Sequence, residues 1–288
     1  MITTDYITQS LDTDIDAEFR QFQLWREMSS TQKFNLLKRL YQKASNLILL
    51  GINHQYSHLS KTEFRSLYIK KRWGNFADKI AQVINFQGDL MLEDPLWLIQ
   101  QLSVIFERLN IPYYVSGSVA SSLQGEVRFT QSLDLAIDIQ PEQGVLLIEA
   151  LSPDFYISEV AVNEAIQGIT TSFKMIHLQT IEKAAIFISG KDEFSVSKMN
   201  RRQLYQVEKS QSSFYVCSPE DTILQKLLWL KMGQDQSEKQ WRDVLGVLKL
   251  QRESLDFAYL GLWGERLGVK ERLQQGIIQS GLSSHLLP

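Results

Sequence analysis

The sequence predicts an α+β fold: a small mixed β-sheet with its helices, flanked by N-terminal and C-terminal helical regions. Three observations carry this expectation. Short β-rich runs occur only in the middle of the chain, as in Tyr113-Tyr114-Val115, Ser172 to Leu178, Lys183 to Ile188, Tyr205 to Val207 and Phe214 to Val216. The run Ser132 to Ile139 alternates strictly, which puts Leu133, Leu135, Ile137 and Ile139 on one face and Ser132, Asp134, Ala136 and Asp138 on the other. On both sides of this stretch, apolar residues recur every three or four positions, as helices require.

The elements follow in order. Residues 1–17 are polar and unpatterned, and a loosely held tail is expected there. Phe19, Phe22 and Trp25 mark a helix from Ala17 to Arg26, and Phe34, Leu37, Leu40, Tyr41, Ala44, Leu47 and Ile48 draw the stripe of a second, from Ser30 to Gly51. Ser60 and Glu63 form a capping box for a third helix to about Arg72, and a fourth is expected over 75–86. Asp94-Pro95 opens the helix that ends before Pro112. Past the central strands, Pro141 opens one helix and Ser158 caps another. Ser218-Pro219-Glu220-Asp221 starts an all-α tail, with further helices over 237–248, 256–267 and 269–278. Three regions result: an N-terminal helical module (1–90), an α/β core (91–217) and a C-terminal helical region packing on it (218–288).

Composition bounds the class. The 288 residues are 44% hydrophobic and 22% charged, ordinary globular material with one cysteine, Cys217, and hence no internal disulfide. There is no basic-plus-apolar leader and no apolar run of about 18 residues, so a cytoplasmic protein with no membrane part is expected. The net charge of −3 is unevenly spread. Residues 1–19 carry five acids and no base, whereas 20–79 carry twelve Lys and Arg against Glu27, Glu63 and Asp78. A basic segment in an acidic chain suits a polyanion such as RNA, although helices also wear solvated basic faces. His54 and His58 lack a third ligand and read as surface histidines. The helical spacing of Trp25, Tyr41, Tyr56, Tyr68 and Trp73 favours core packing over base stacking.

The stretch Pro112 to Gln140 holds the candidate site. A short strand stops at Ser116-Gly117-Ser118, small residues that let a backbone approach a ligand closely, and a helix begins behind them with free N–H groups that attract phosphate. The acidic strand face carrying Asp134 follows. These residues resemble the nucleotidyltransferase superfamily, whose signature is a hydrophobic residue, Gly, Gly or Ser, a spacer, and Asp-hydrophobic-Asp on a strand. Gly117 and Ser118 fit the first half and Asp134 fits the second Asp; Ser132 stands at the first. The lead-in Arg128-Phe129-Thr130 resembles abortive-infection toxin nucleotidyltransferases, as do the later runs Ser218 to Leu227 and Gln240 to Val244. The resemblance spans about Leu96 to Gln274. It places Lys226, and with it Arg242 and Asp243, in a nucleotide cleft opposite the glycine turn; in plain structural terms these would be a snorkelling lysine and helix-surface charges. It also expects a third carboxylate on the strand Lys183-Ala184-Ala185, where Ala185 stands instead. Glu182 has the wrong parity to replace it, and Asp138 lies roughly 13 Å along the strand from Asp134, too far to share an ion.

An intact member of this family would bind magnesium through two or three carboxylates and transfer a nucleotidyl group from a nucleoside triphosphate with loss of pyrophosphate. With Asp134 the one acid retained, the expectation is a catalytically degenerate protein used for nucleotide or RNA binding or regulation, in a toxin-antitoxin or defence setting. Two alternatives stay open. One is an active magnesium-dependent nucleotidyltransferase acting on an RNA or protein hydroxyl. The other is a scaffold that binds a protein or RNA partner through its basic N-terminal helices, with Lys70, Lys71 and Arg72 as contacts.

Overall fold

The computed structural model describes residues 5–74, 93–130, 132–207, 212–233 and 237–287. The helix expected over 75–86 lies outside these residues, as does the side chain of Trp73. The chain divides into two compact units, each made of separated stretches: residues 1–37, 114–128 and 190–288 form the first, and residues 38–113 and 129–189 the second. This division cuts across the three consecutive regions expected from the sequence.

Both units combine strands and helices, so the α+β class with a mixed sheet and flanking helices is the one observed. In the first unit, α1 (Ile15–Glu27) and the start of α2 (Ser30–Gln55) precede β1 (Tyr113–Ser116) and α5 (Gly117–Gln124); the stretch from residue 190 then adds α8 (Glu193–Arg201), β6 (Gln203–Val207), β7 (Ser212–Val216) and helices α9 (Pro219–Met232), α10 (Glu238–Gln251), α11 (Phe257–Arg266) and α12 (Lys270–Gln279). Strand β1 pairs parallel to β7, with Val115 opposite Val216, and β7 pairs antiparallel to β6. The caps are those the sequence announces: Ser218 accepts from the Asp221 N–H with Pro219 in the first turn of α9, and Ser237 caps α10. Ile223, Leu224, Leu227 and Leu230 of α9 join Val244, Val247 and Leu248 of α10, Leu260 of α11, and Leu273 and Ile277 of α12 in one apolar core.

The second unit contains the remainder of α2, α3 (Lys61–Trp73), α4 (Pro95–Arg108), β2 (Leu133–Ile137), α6 (Gln143–Leu151), β3 (Phe155–Ile157), α7 (Glu159–Ile166), β4 (Ser172–His177) and β5 (Lys183–Ile188). Its strands run in the order β3-β4-β5-β2, antiparallel except for the parallel β5–β2 pair. One face of this half-sheet, with Leu133, Leu135, Phe173, Met175, Ala184 and Ile186, is buried. Helix α4 packs against β2 and α7 against β4 and β5. The capping box at Ser60 and Glu63 is complete.

Two expectations are corrected. The N-terminal residues are not a loose tail where they are described. Tyr6 is buried and its hydroxyl donates to Glu18, which also pairs with Lys249 Nζ at 2.6 Å; Ile7 N–H donates to the Gln279 carbonyl. A buried ion pair on α1 and α10 recruits the arm, and a polar stretch read by composition gives no hint of it. Helix α1 accordingly starts at Ile15, capped by Asp14. Arg72, grouped with Lys70 and Lys71 as an RNA contact, turns inward instead and pairs with the buried Glu182. Among the described helices, none is long and apolar enough to cross a membrane.

Candidate functional site

In the first unit the candidate residues gather around the Gly117 turn. Strand β1 ends at Ser116 in extended backbone, and Gly117 follows at φ +63°, a left-handed conformation that glycine adopts without steric cost. The chain thereby passes from strand to helix in one residue. Ser116 makes no side-chain cap, and Ser118 Oγ accepts a hydrogen bond from Arg128 Nη2 at 2.9 Å. The same guanidinium grips Asp243 with two bonds, Nε to Oδ1 at 2.6 Å and Nη2 to Oδ2 at 2.7 Å. Lys226, 1% exposed, reaches Asp243 Oδ2 at 2.6 Å. Burial alone would raise the Asp243 carboxyl, but the Arg128 hydrogen bonds and the charges of Lys226 and Arg128 outweigh it and hold its pKa below the usual aspartate value. The carboxylate therefore stays ionised and orients two cations, one of them in hydrogen-bond contact with the turn.

The supports of this arrangement come from the ends of α5 and the middle of α10. Gln124 is buried, donates to the Cys217 carbonyl at 2.5 Å and accepts from the Thr222 hydroxyl at 2.6 Å. It ties α5 to the start of α9. At Gly125 the backbone lies against α10 so closely that a Cβ would come within 2.7 Å of the Gly246 carbonyl carbon. Arg242 pairs with Glu126 through Nε at 2.6 Å and through Nη2, with its own side chain 42% exposed. Adjacent residues of α10 thus hold the loop after α5 twice, Arg242 at Glu126 and Asp243 at Arg128.

Of the residues singled out in the sequence, Ser118, Lys226 and Asp243 come together in one hydrogen-bonded chain, with Gly117 at its turn. Arg242 belongs to a neighbouring ion pair. Arg128 is the link between them: its Arg-x-Thr setting marks it in the sequence, but nothing local announces its bond to a residue 115 positions away.

Asp134 lies in the second unit, half-buried on β2. Ladder register sets Ala185 of β5 directly beside it and Lys174 of β4 directly beside Ala185. Where the sequence resemblance expects a third acid, the ladder thus has an alanine flanked by a lysine. Ser132, two residues before Asp134, is half-buried and carries no charge. Asp138 lies past the end of β2, its N–H bonded to the Pro112 carbonyl at 2.8 Å. Glu182 is fully buried on the core side, where burial pushes its pKa up to about 7 against the pull of Arg72. Among the described residues no group of three or more His, Cys, Asp or Glu could hold a metal ion. A magnesium pair of the kind the resemblance implies does not fit the described donors on this strand row, where Asp134 is followed by the Ala185 methyl and then by Lys174.

No family model matches the sequence, and no curated protein does. Among solved structures the chain is similar to an antigenic nucleotidyltransferase-like protein from Paracoccidioides brasiliensis, at 18% identity over 65% of this chain and 93% of that one, with a TM-score of 0.41. The likeness assigns no role to any residue.

Proposed function

We propose that this chain is a nucleotidyltransferase-like protein that binds a nucleotide through phosphate contacts and has lost metal-dependent transfer. The observation that carries the reading is the in-register pairing of Asp134 with Ala185 and of Ala185 with Lys174. A divalent ion needs oxygen donors converging on one point, and this row offers one carboxylate, a methyl and an ammonium. Metal stabilisation of phosphoryl charge is worth several kcal/mol, so its loss costs on the order of a thousandfold in rate. The phosphate-binding half is supported by Gly117 and Ser118 at the head of α5 and by the oriented Arg128, with Asp243 and Lys226 behind it. Arg242, paired with Glu126, fits as a support of that loop. A role in regulation, in the toxin-antitoxin or defence setting that the sequence resemblance suggests, would follow from nucleotide or RNA capture without turnover.

The test is calorimetric titration of each of the four nucleoside triphosphates into the protein, with magnesium and with chelator, beside Asp134→Ala. The expected result is binding of at least one nucleotide in chelator, retained in Asp134→Ala. Magnesium-dependent binding abolished by that substitution would overturn the reading and restore a working transferase.

A further inference from the structure

Within the first unit, the turn of α10 that fastens the candidate site also carries the N-terminal arm. After the run Tyr6 to Gln9 the chain turns between Ser10 and Thr13 and enters α1 at Ile15. Three donors converge on the Glu18 carboxylate of α1: the Tyr6 hydroxyl and the Gln9 N–H, both at 2.5 Å, and Lys249 Nζ at 2.6 Å. The Ile7 N–H donates to the Gln279 carbonyl at the end of α12, and the Ile7 carbonyl accepts from Lys249. The Gln9 side-chain amide donates to the Arg242 carbonyl at 3.3 Å. Arg242 is the residue whose guanidinium holds Glu126, and Asp243 beside it holds Arg128. Gly246, one turn on, lies under both segments: a Cβ there would stand 3.0 Å from the Glu126 nitrogen and 3.1 Å from Gln9 Nε2. Arm and loop thus press on the same turn of α10, and withdrawal of the arm opens space beside the loop.

The arm is held incompletely. Tyr6 is its one buried side chain from residue 5 to residue 14, while Ile7 is 42% exposed and Leu11 fully exposed. Gln9 Oε1 is buried with no hydrogen-bond partner among the described residues, and so is Oγ of Ser280, the residue after Gln279. Unsatisfied buried polar atoms cost stability that water returns on opening, so the docked arm works against a penalty which the apolar core of α9 to α12 does not carry.

We propose that residues 5–14 form a releasable strap that regulates the candidate site: docked on α10 the strap holds the loop from Gly125 to Arg128 in place, and released it lets Arg128 loosen from Asp243 and Ser118. For its ligand the proposal rests on the nucleotide-binding reading above, and it adds a means of control at that same site. By linkage the effect runs both ways: a partner that draws the arm away weakens phosphate binding, and bound phosphate tightens the arm.

The experiment is proton exchange by nuclear magnetic resonance on the full chain, followed by titration of inorganic tripolyphosphate in chelator. In the wild type the Ile7 N–H is expected to exchange about 100-fold or more faster than the Leu248 N–H in the core, because the arm opens without global unfolding. Tyr6→Ala, which removes the buried ring, and Ile7→Pro, which removes only the N–H bonded to Gln279, should each speed exchange of the Arg128 Nε proton about tenfold and leave the Leu248 N–H unchanged. Both should weaken tripolyphosphate binding several-fold. Ile7 and Leu248 exchanging together in the wild type would overturn the strap, as would an Arg128 Nε proton indifferent to both substitutions or one that speeds up only in step with Leu248. Wild-type affinity in variants whose Arg128 has loosened would overturn its control of the site. Absence of tripolyphosphate binding in every form, with the exchange results as expected, would overturn the nucleotide-binding reading and leave the strap in place.

Discussion

Each unit buries a carboxylate against arginine, and the two behave oppositely. Asp243 in the first unit receives two bonds from Arg128 and one from Lys226, and its pKa falls. Glu182 in the second unit faces Arg72, has one carboxylate oxygen with no hydrogen-bond partner among the described residues, and is pushed up to about 7 by burial. The lesson is that a guanidinium alone does not keep a buried acid charged; the number of donors meeting its oxygens decides. The pH consequences have opposite signs. Asp243 contributes stability above the ordinary aspartate range that is lost as pH falls through its lowered pKa. Glu182 holds its proton in the folded state up to about 7, so its contribution is greatest below the ordinary glutamate range and is lost as pH rises through about 7.

The comparison breaks most sharply at Asp243. Asp243→Ala leaves Lys226 buried without its carboxylate and should cost about 3–5 kcal/mol in chemical denaturation. Adding Lys226→Met should recover part of that loss, because the two changes remove one interaction. Gly125→Ala tests the scaffold instead of the charge. Its Cβ would meet α10 backbone at 2.7 Å, which should cost about 1–3 kcal/mol and loosen Arg128 from Asp243.

For the second unit, the unfolding free energy of the wild type should carry a component that falls between about pH 5 and pH 8 and is missing in Glu182→Gln. Arg72→Met should move that component to higher pH, since burial is then unopposed. Persistence of the same slope in Glu182→Gln would assign it to another group. The half-exposed Arg242–Glu126 pair should matter least: Arg242→Ala is expected to cost no more than about 1 kcal/mol.

Much of the fold was legible because it is written locally. Ser60 with Glu63, Asp94 with Pro95, and Ser218 with Pro219 and Asp221 each start a helix where the structure has one. Alternation from Leu133 and the apolar runs at Phe173 and Ala184 located three of the strands. What escaped was either too short for periodicity or made by distant partners. Strand β3 has three residues, Phe155–Ile157. Helix α8 is polar along most of its length, and only its Asp192 cap announces it. In the candidate site, Gly117, Ser118 and Asp134 could be named from their motif. The clamp of Arg128 on Asp243 and that of Arg72 on Glu182 join residues 115 and 110 positions apart, and no window of sequence contains both members.

The buried contact between Glu18 and Lys249 also has a consequence in time. The two residues are 231 positions apart, with Tyr6 and Ile7 fastened to the same pair. At roughly 5–20 residues per second, a ribosome leaves Glu18 waiting on the order of 10–50 s for its lysine. During that interval the stretches of the second unit emerge and can pack among themselves, while the first unit's opening helix must be kept from wrong partners until Lys249 follows.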